Sequence, residues 1–89
     1  LHALQSLGLA QSTTVIYTSD HGDMCGGHGM LDKHYVAYDD VVRVPLIIRT
    51  GGQTSGRVCD KFVIHELDLA ASFCDLAGLA VPPSFQGQS

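Results

Sequence analysis

The 89-residue sequence is short of cations: five Lys and Arg stand against nine Asp and Glu, for a formal charge of −4. Five cations do not build a face that neutralises several phosphates, which argues against sequence-independent binding of nucleic acid. No run of about 18 apolar residues is present, so no membrane-spanning helix is expected. The first residues lack the basic and apolar regions of a secretory signal, and the sequence begins at Leu1 instead of Met, the expectation being a piece of a longer chain. Paired cysteine chemistry is missing as well. Cys25, Cys59 and Cys74 are odd in number and match neither CxxC nor a paired zinc framework, so reduced thiols are expected, with Cys74 a small apolar residue on a helix face. The Asp-x-Asp-x-Asp-Gly spacing of an EF-hand is also absent.

What is there is core-forming. With 45% hydrophobic and 16% charged residues, the chain lies well away from compositions that stay disordered, and its length allows one domain at most. Charge is uneven: no charged side chain occurs from Leu1 to Ser19 or from Leu76 to Ser89. Between Asp20 and Asp40 lie five of the nine acids and three of the five histidines, with Gly22, Gly26, Gly27 and Gly29 among them. This is where function is expected.

Leu1, Leu4 and Leu7 read as the end of a helix, with Gly8 suited to the left-handed position that closes it. The β-branched and aromatic run Thr13 to Thr18 predicts a buried strand of a parallel or mixed sheet. Its carboxyl end delivers Asp20, and in open α/β sheets active sites gather at that end of the strands. A short helix is predicted over Tyr35 to Val42, a second strand over Val44 to Arg49 and an exposed loop over Thr50 to Gly56. Arg57 to Ile64 reads as a third extended segment. Leu67 to Ala77 predicts a helix buried on most of its circumference and capped by Gly78.

In Thr18-Ser19-Asp20-His21-Gly22-Asp23, a carboxylate and an imidazole stand side by side at a strand end, and oxygen and nitrogen donors of this kind suit a divalent metal. Taken alone, the string favours a hydrogen-bonded turn over a ligand pair, since Asp and His are ordinary turn residues. His28, between glycines, reads as a brace of the loop through a hydrogen bond. His34 lines a pocket or lies on the surface. Asp23 and Asp32 read as turn acids or partners of cations, Arg43 as an ion-pair partner of Asp39 or Asp40, and His65 and Asp68 as helix-capping groups.

The longer pattern Thr18-Ser19-Asp20-His21-Gly22-Asp23-Met24, with Gly29, Lys33, Tyr38 and Arg43-Val44-Pro45-Leu46-Ile47-Ile48-Arg49, resembles the C-terminal part of the catalytic domain of the sulfatase family, within the alkaline phosphatase superfamily. The likeness continues from Ile64 to Gly78 and through Phe85-Gln86-Gly87-Gln88-Ser89. It implies an α/β fold: residues 1–89 as part of a doubly wound, mostly parallel sheet of the alkaline phosphatase/sulfatase type, without the region that holds the nucleophile and without the smaller C-terminal domain. It implies Asp20 and His21 as ligands of a divalent metal, most often Ca2+ in that family, with His21 also able to touch the sulfate. Lys33 would bind the sulfate under attack, and His34 would line the substrate pocket. The substrate class implied is a sulfate-ester small molecule or a sulfated glycan, in a periplasmic or secreted setting. One departure matters: the family's formylglycine arises from a Cys-x-Pro-x-Arg motif, and none of Cys25, Cys59 or Cys74 begins one. That residue is therefore expected in a more N-terminal region, and the 89 residues alone are expected to be inactive and prone to self-association. A phosphonate or phosphate ester hydrolase of the same superfamily and a small non-catalytic metal-binding domain are the alternatives.

Overall fold

A computed structural model describes residues 1–33, 35–53 and 55–89. The chain forms two compact units, Leu1–Gly56 and Arg57–Ser89.

The first unit opens with helix α1 (His2–Ser6). Gly8, at φ +71°, ends it as the sequence predicts: its N–H donates to the Gln5 carbonyl at 3.0 Å and the Leu9 N–H reaches back to Leu4 at 2.9 Å. These are the two bonds by which a left-handed residue satisfies the last carbonyls of a helix. Strand β1 (Val15–Thr18) pairs antiparallel with β2 (Leu46–Arg49), in the register Val15 to Arg49 and Thr18 to Leu46. The Arg49 guanidinium donates to the Ala10 carbonyl at 3.0 Å, tying the turn after α1 to the end of β2. Between the strands, the helix predicted over Tyr35 to Val42 is reduced to α2 (Asp39–Val42). Tyr38 is its extended N-cap, and Asp39 and Asp40 place negative charge in its first turn, where the helix dipole favours it.

Helices and strands occur together, as an α/β class requires. The expected sheet is mostly parallel, whereas the pair inside this chain is antiparallel, a combination that mixed α/β sheets contain. The burial expected of β1 is corrected: Tyr17 is 63% exposed and its partner Ile47 is exposed too. Hydrophobic composition records that a strand is suited to burial, but burial needs elements on both faces. Among the described residues β1 has one neighbouring strand.

In the second unit, the strand expected over Arg57 to Ile64 is absent, and this irregular segment leaves Val58 and Phe62 exposed. An extended segment becomes a strand only with a partner for its backbone groups. Helix α3 (His65–Leu76) follows. Gly78, at φ +70°, closes it with bonds from Gly78 N–H to Asp75 and from Leu79 N–H to Cys74. Burial over most of its circumference is not found: Leu69 and Ala71 are buried, but Leu67, Phe73 and Leu76 are exposed. Cys74 is half-buried, and all three thiols are free.

The Asp68 carboxylate does the capping expected of it, accepting the Ile64 N–H at 2.8 Å. Its other oxygen accepts the Gln88 N–H at 2.9 Å, and two turns further on Asp75 accepts the Ser89 hydroxyl at 2.7 Å. The tail is thereby laid along one face of α3. His65 does not cap; its Nδ1 stands 3.9 Å from the Glu66 carboxylate without a hydrogen bond. The Gln88 N–H and, after it, the Ile64 N–H hold the Asp68 carboxyl below the usual 3.8. A depressed acid contributes stability above its unfolded value and loses it as pH falls through the folded one, so the tail should detach only under acid. The Gln88 amide proton shift should titrate with a midpoint below 3.8, and in Asp68→Asn that titration should vanish. A persistent titration in the variant would show that another group holds the tail.

Candidate functional site

The end of β1 is followed by a tight sequence of local bonds. Ser19 donates its hydroxyl to the His21 carbonyl at 2.8 Å, and the His21 N–H donates to Asp20 Oδ1 at 3.0 Å. One Asp20 oxygen is thus engaged by the backbone, while Oδ2 has no hydrogen-bond partner among the described residues on a side chain that is 85% exposed. The carboxyl is held below its ordinary value, chiefly by the His21 N–H, then by the charge of the His21 ring, with the Lys33 ammonium making the smallest contribution.

His21 Nδ1 lies 2.7 Å from the Gly22 carbonyl. A carbonyl only accepts, so Nδ1 carries the proton, and in the neutral ring Nε2 keeps its lone pair. Nε2, a lone pair in the neutral ring and an N–H in the charged one, lies 3.7 Å from Asp20 Oδ2. Two acceptors facing each other attract a cation between them, either a proton on the ring or a metal ion. The Asp20 oxygen is the kind of donor that calcium takes and the imidazole nitrogen one that softer divalent ions take, and at 3.7 Å both atoms are close enough to touch one cation. Donor type, tautomer and spacing therefore fit a divalent cation, as two members of a larger ligand set. Among the described residues no group of three or more His, Cys, Asp or Glu is arranged to hold a metal by itself.

Gly22 sets the path of the next segment. Its N–H donates to the Val41 carbonyl at 2.7 Å, and a Cβ here would run into the Asp40 carbonyl oxygen. Only glycine lets α2 approach this closely. Met24, 1% exposed, is the most deeply buried large side chain of the loop. The chain then doubles back: Met24 N–H donates to Asp32 and Gly26 N–H to Met30, at 3.3 and 2.9 Å. Because residue 24 pairs with residue 32, Lys33 returns to the start of the loop, where its charge acts on Asp20.

Three non-glycine residues of this loop have positive φ: Cys25 at 46°, His28 at 52° and Asp32 at 69°. Such conformations cost on the order of 1–3 kcal/mol each and persist where the surroundings over-determine them. Here Asp23 accepts the Cys25 N–H at 2.7 Å, and Asp32 accepts the Lys33 N–H at 2.7 Å. Both acids serve as turn acids, as the sequence suggested. His28 braces the loop by a different means from that expected, since its ring stacks on Tyr38 with centroids 4.0 Å apart. Asp23 also accepts a hydrogen bond from the Cys25 thiol and, by that bond first and its charge second, pushes the thiol up. Cys25 is therefore a poor thiolate nucleophile.

Asp20 and His21 are adjacent in space, and the chain just before Lys33 is bonded back to Met24. His34 lies outside the described residues. Sequence patterning gave no sign of Met24, of the Gly22 to Val41 bond or of the Tyr38 ring as a support.

The chain is similar to known proteins. The Sulfatase family model matches residues 1–79. An N-acetylglucosamine-6-O-sulfatase of Bacteroides thetaiotaomicron is 36% identical over the whole chain, which spans 16% of that protein. A Drosophila melanogaster protein named as an extracellular sulfatase homologue is 35% identical over 97% of the chain and 8% of its own length. A crystal structure of a Bacteroides thetaiotaomicron protein assigned as a sulfatase superposes with a TM-score of 0.85 at 36% identity, over 99% of the chain and 19% of that protein.

Proposed function

The chain belongs to the sulfatase family, and from that premise we propose that it contributes part of the active site of a metal-dependent sulfatase, with Asp20 and His21 as metal ligands and Lys33 as the sulfate-binding cation. The observation that carries this reading is the approach of Asp20 Oδ2 and His21 Nε2 to 3.7 Å on an exposed carboxylate, with the chain before Lys33 bonded back to Met24. A bound divalent cation, calcium by family likeness, would supply positive charge to the sulfuryl and leaving oxygens. Asp20 offers an oxygen that stays ionised because its carboxyl is depressed. His21 offers Nε2 in the tautomer fixed by the Gly22 carbonyl. Lys33 places a compact ammonium against the sulfate, where charge develops during transfer. His34 is proposed to line the substrate pocket.

No nucleophile is assigned to these residues. Cys25 is a raised thiol, and no cysteine begins Cys-x-Pro-x-Arg, so the 89 residues alone should not turn over a sulfate ester. A formylglycine elsewhere in the intact protein is part of the proposal. Sulfated sugars are the substrate class supported by the name of the Bacteroides relative, and a secreted or periplasmic setting is supported by that of the Drosophila one.

The test is an assay of the intact protein against 4-nitrophenyl sulfate and 4-nitrophenyl phosphate, with and without chelator. Sulfate turnover that chelator removes and calcium restores is the expected result. Phosphate turnover exceeding sulfate turnover would move the assignment to phosphoryl transfer.

A further inference from the structure

We infer that Tyr38 is a positioning residue: its ring, stacked on His28, fixes the return limb of the loop and thereby the place of Lys33. The inference rests on the sulfatase reading of Lys33. Helix α2 and its N-cap hold the loop at two points about one turn apart. Val41 accepts the Gly22 N–H at 2.7 Å, beside His21, and the Tyr38 ring lies nearly parallel to the His28 ring, at 14° and 4.0 Å. His28 occupies the short turn Gly27–Gly29 with a φ of +52°, a conformation the stack helps to maintain. From that turn the chain runs through Met30, which exchanges bonds with Gly26 and Gly27, to Asp32 and Lys33. A displaced His28 therefore shifts the lysine limb. Asp20 and His21, on the other limb, remain held by Gly22.

The stack thus separates two functions. Loss of the Tyr38 ring should misplace Lys33 without releasing the metal, and a misplacement of about 1 Å costs up to roughly a hundredfold in rate. In the intact protein, Tyr38→Ala is expected to lower kcat/KM for 4-nitrophenyl sulfate by roughly ten- to a hundredfold, with calcium affinity by calorimetry unchanged. Tyr38→Phe keeps the ring and should restore turnover. His28→Ala removes the other half of the stack and should reproduce the Tyr38→Ala loss, without adding to it in the double variant. It also decides the matter if Tyr38→Ala does not fold. Undiminished turnover in Tyr38→Ala or His28→Ala, or equal losses in Tyr38→Phe and Tyr38→Ala, would overturn the inference. Lys33→Ala separates the two readings: if it leaves turnover intact, the role of the lysine fails, whereas a large loss there beside normal Tyr38→Ala turnover defeats the positioning role alone. The stack itself is read independently from ring-current shifts of the His28 protons, present in wild type and Tyr38→Phe and absent in Tyr38→Ala.

Discussion

Asp20→Ala is expected to strip the divalent cation from the intact protein and abolish sulfate-ester turnover while the fold stands. The side chain is 85% exposed, and among the described residues it accepts the neighbouring His21 N–H at 3.0 Å and, more weakly, the Ser19 hydroxyl at 3.5 Å, groups that water can serve after truncation. The loss falls on the cation instead. A hard divalent ion depends on anionic oxygen, and here removal of the carboxylate leaves His21 Nε2 as the lone donor of the pair. Asp20→Asn refines the test, because the amide oxygen still accepts the His21 N–H but carries no charge. It should lose most of the metal while melting like wild type. Elemental analysis and thermal unfolding of both variants read the two quantities separately, and metal content unchanged in Asp20→Ala would remove the residue from the ligand set. Acid should act in the same direction. The carboxyl is depressed, so its charge is retained until pH falls below the usual carboxylate value of 3.8, and below that value the carboxylate ceases to serve the ion.

Local rules were legible in the sequence and non-local ones were not. Gly8 and Gly78 take the left-handed caps expected of them because the signal lies within one turn of the helix end. Asp39 and Arg43 meet at 4.0 Å because four residues on a helix bring them to one side. The delivery of Asp20 by β1 followed from a β-branched run ending in polar residues. Pairing direction did not follow, since alternation along one strand carries no information about its neighbour. The exposure of α3 has the same origin: Leu67, Phe73 and Leu76 are apolar in any context, but burial depends on which elements lie against them. In the loop, Met24 is buried between the exposed residues Asp23 and Cys25 with no periodicity to announce it. The His28 to Tyr38 contact joins residues ten positions apart, beyond the reach of any local pattern. The adjacency of Asp20 and His21 was written in the order of residues. Their chemical distinction, an ionised oxygen facing a bare Nε2, came from the Gly22 carbonyl on the other ring nitrogen.

Lys33→Ala should separate binding of the metal from binding of the sulfate. The lysine is fixed through its backbone, its N–H bonded to the Asp32 carboxylate at 2.7 Å, so truncating the side chain leaves the loop bonds in place. Its ammonium is the weakest of the influences that depress Asp20, and the carboxyl stays depressed by the His21 N–H without it. Calcium affinity should accordingly change little. Turnover should fall by a factor on the order of 10²–10³, the usual consequence of removing one preorganised donor from charge that develops in a transition state. Lys33→Arg should recover only part of this, since a planar fork does not reproduce a compact charge on a flexible stem. The measurements are kcat/KM on 4-nitrophenyl sulfate and bound calcium per protein. A loss of no more than about threefold, well under 1 kcal/mol of barrier, would mean that Lys33 does not face the sulfate. Loss of metal and turnover together would mean instead that it supports the cation. Retained calcium with turnover down by that factor assigns the lysine to the substrate oxygens, and Asp20 and His21 to the ion.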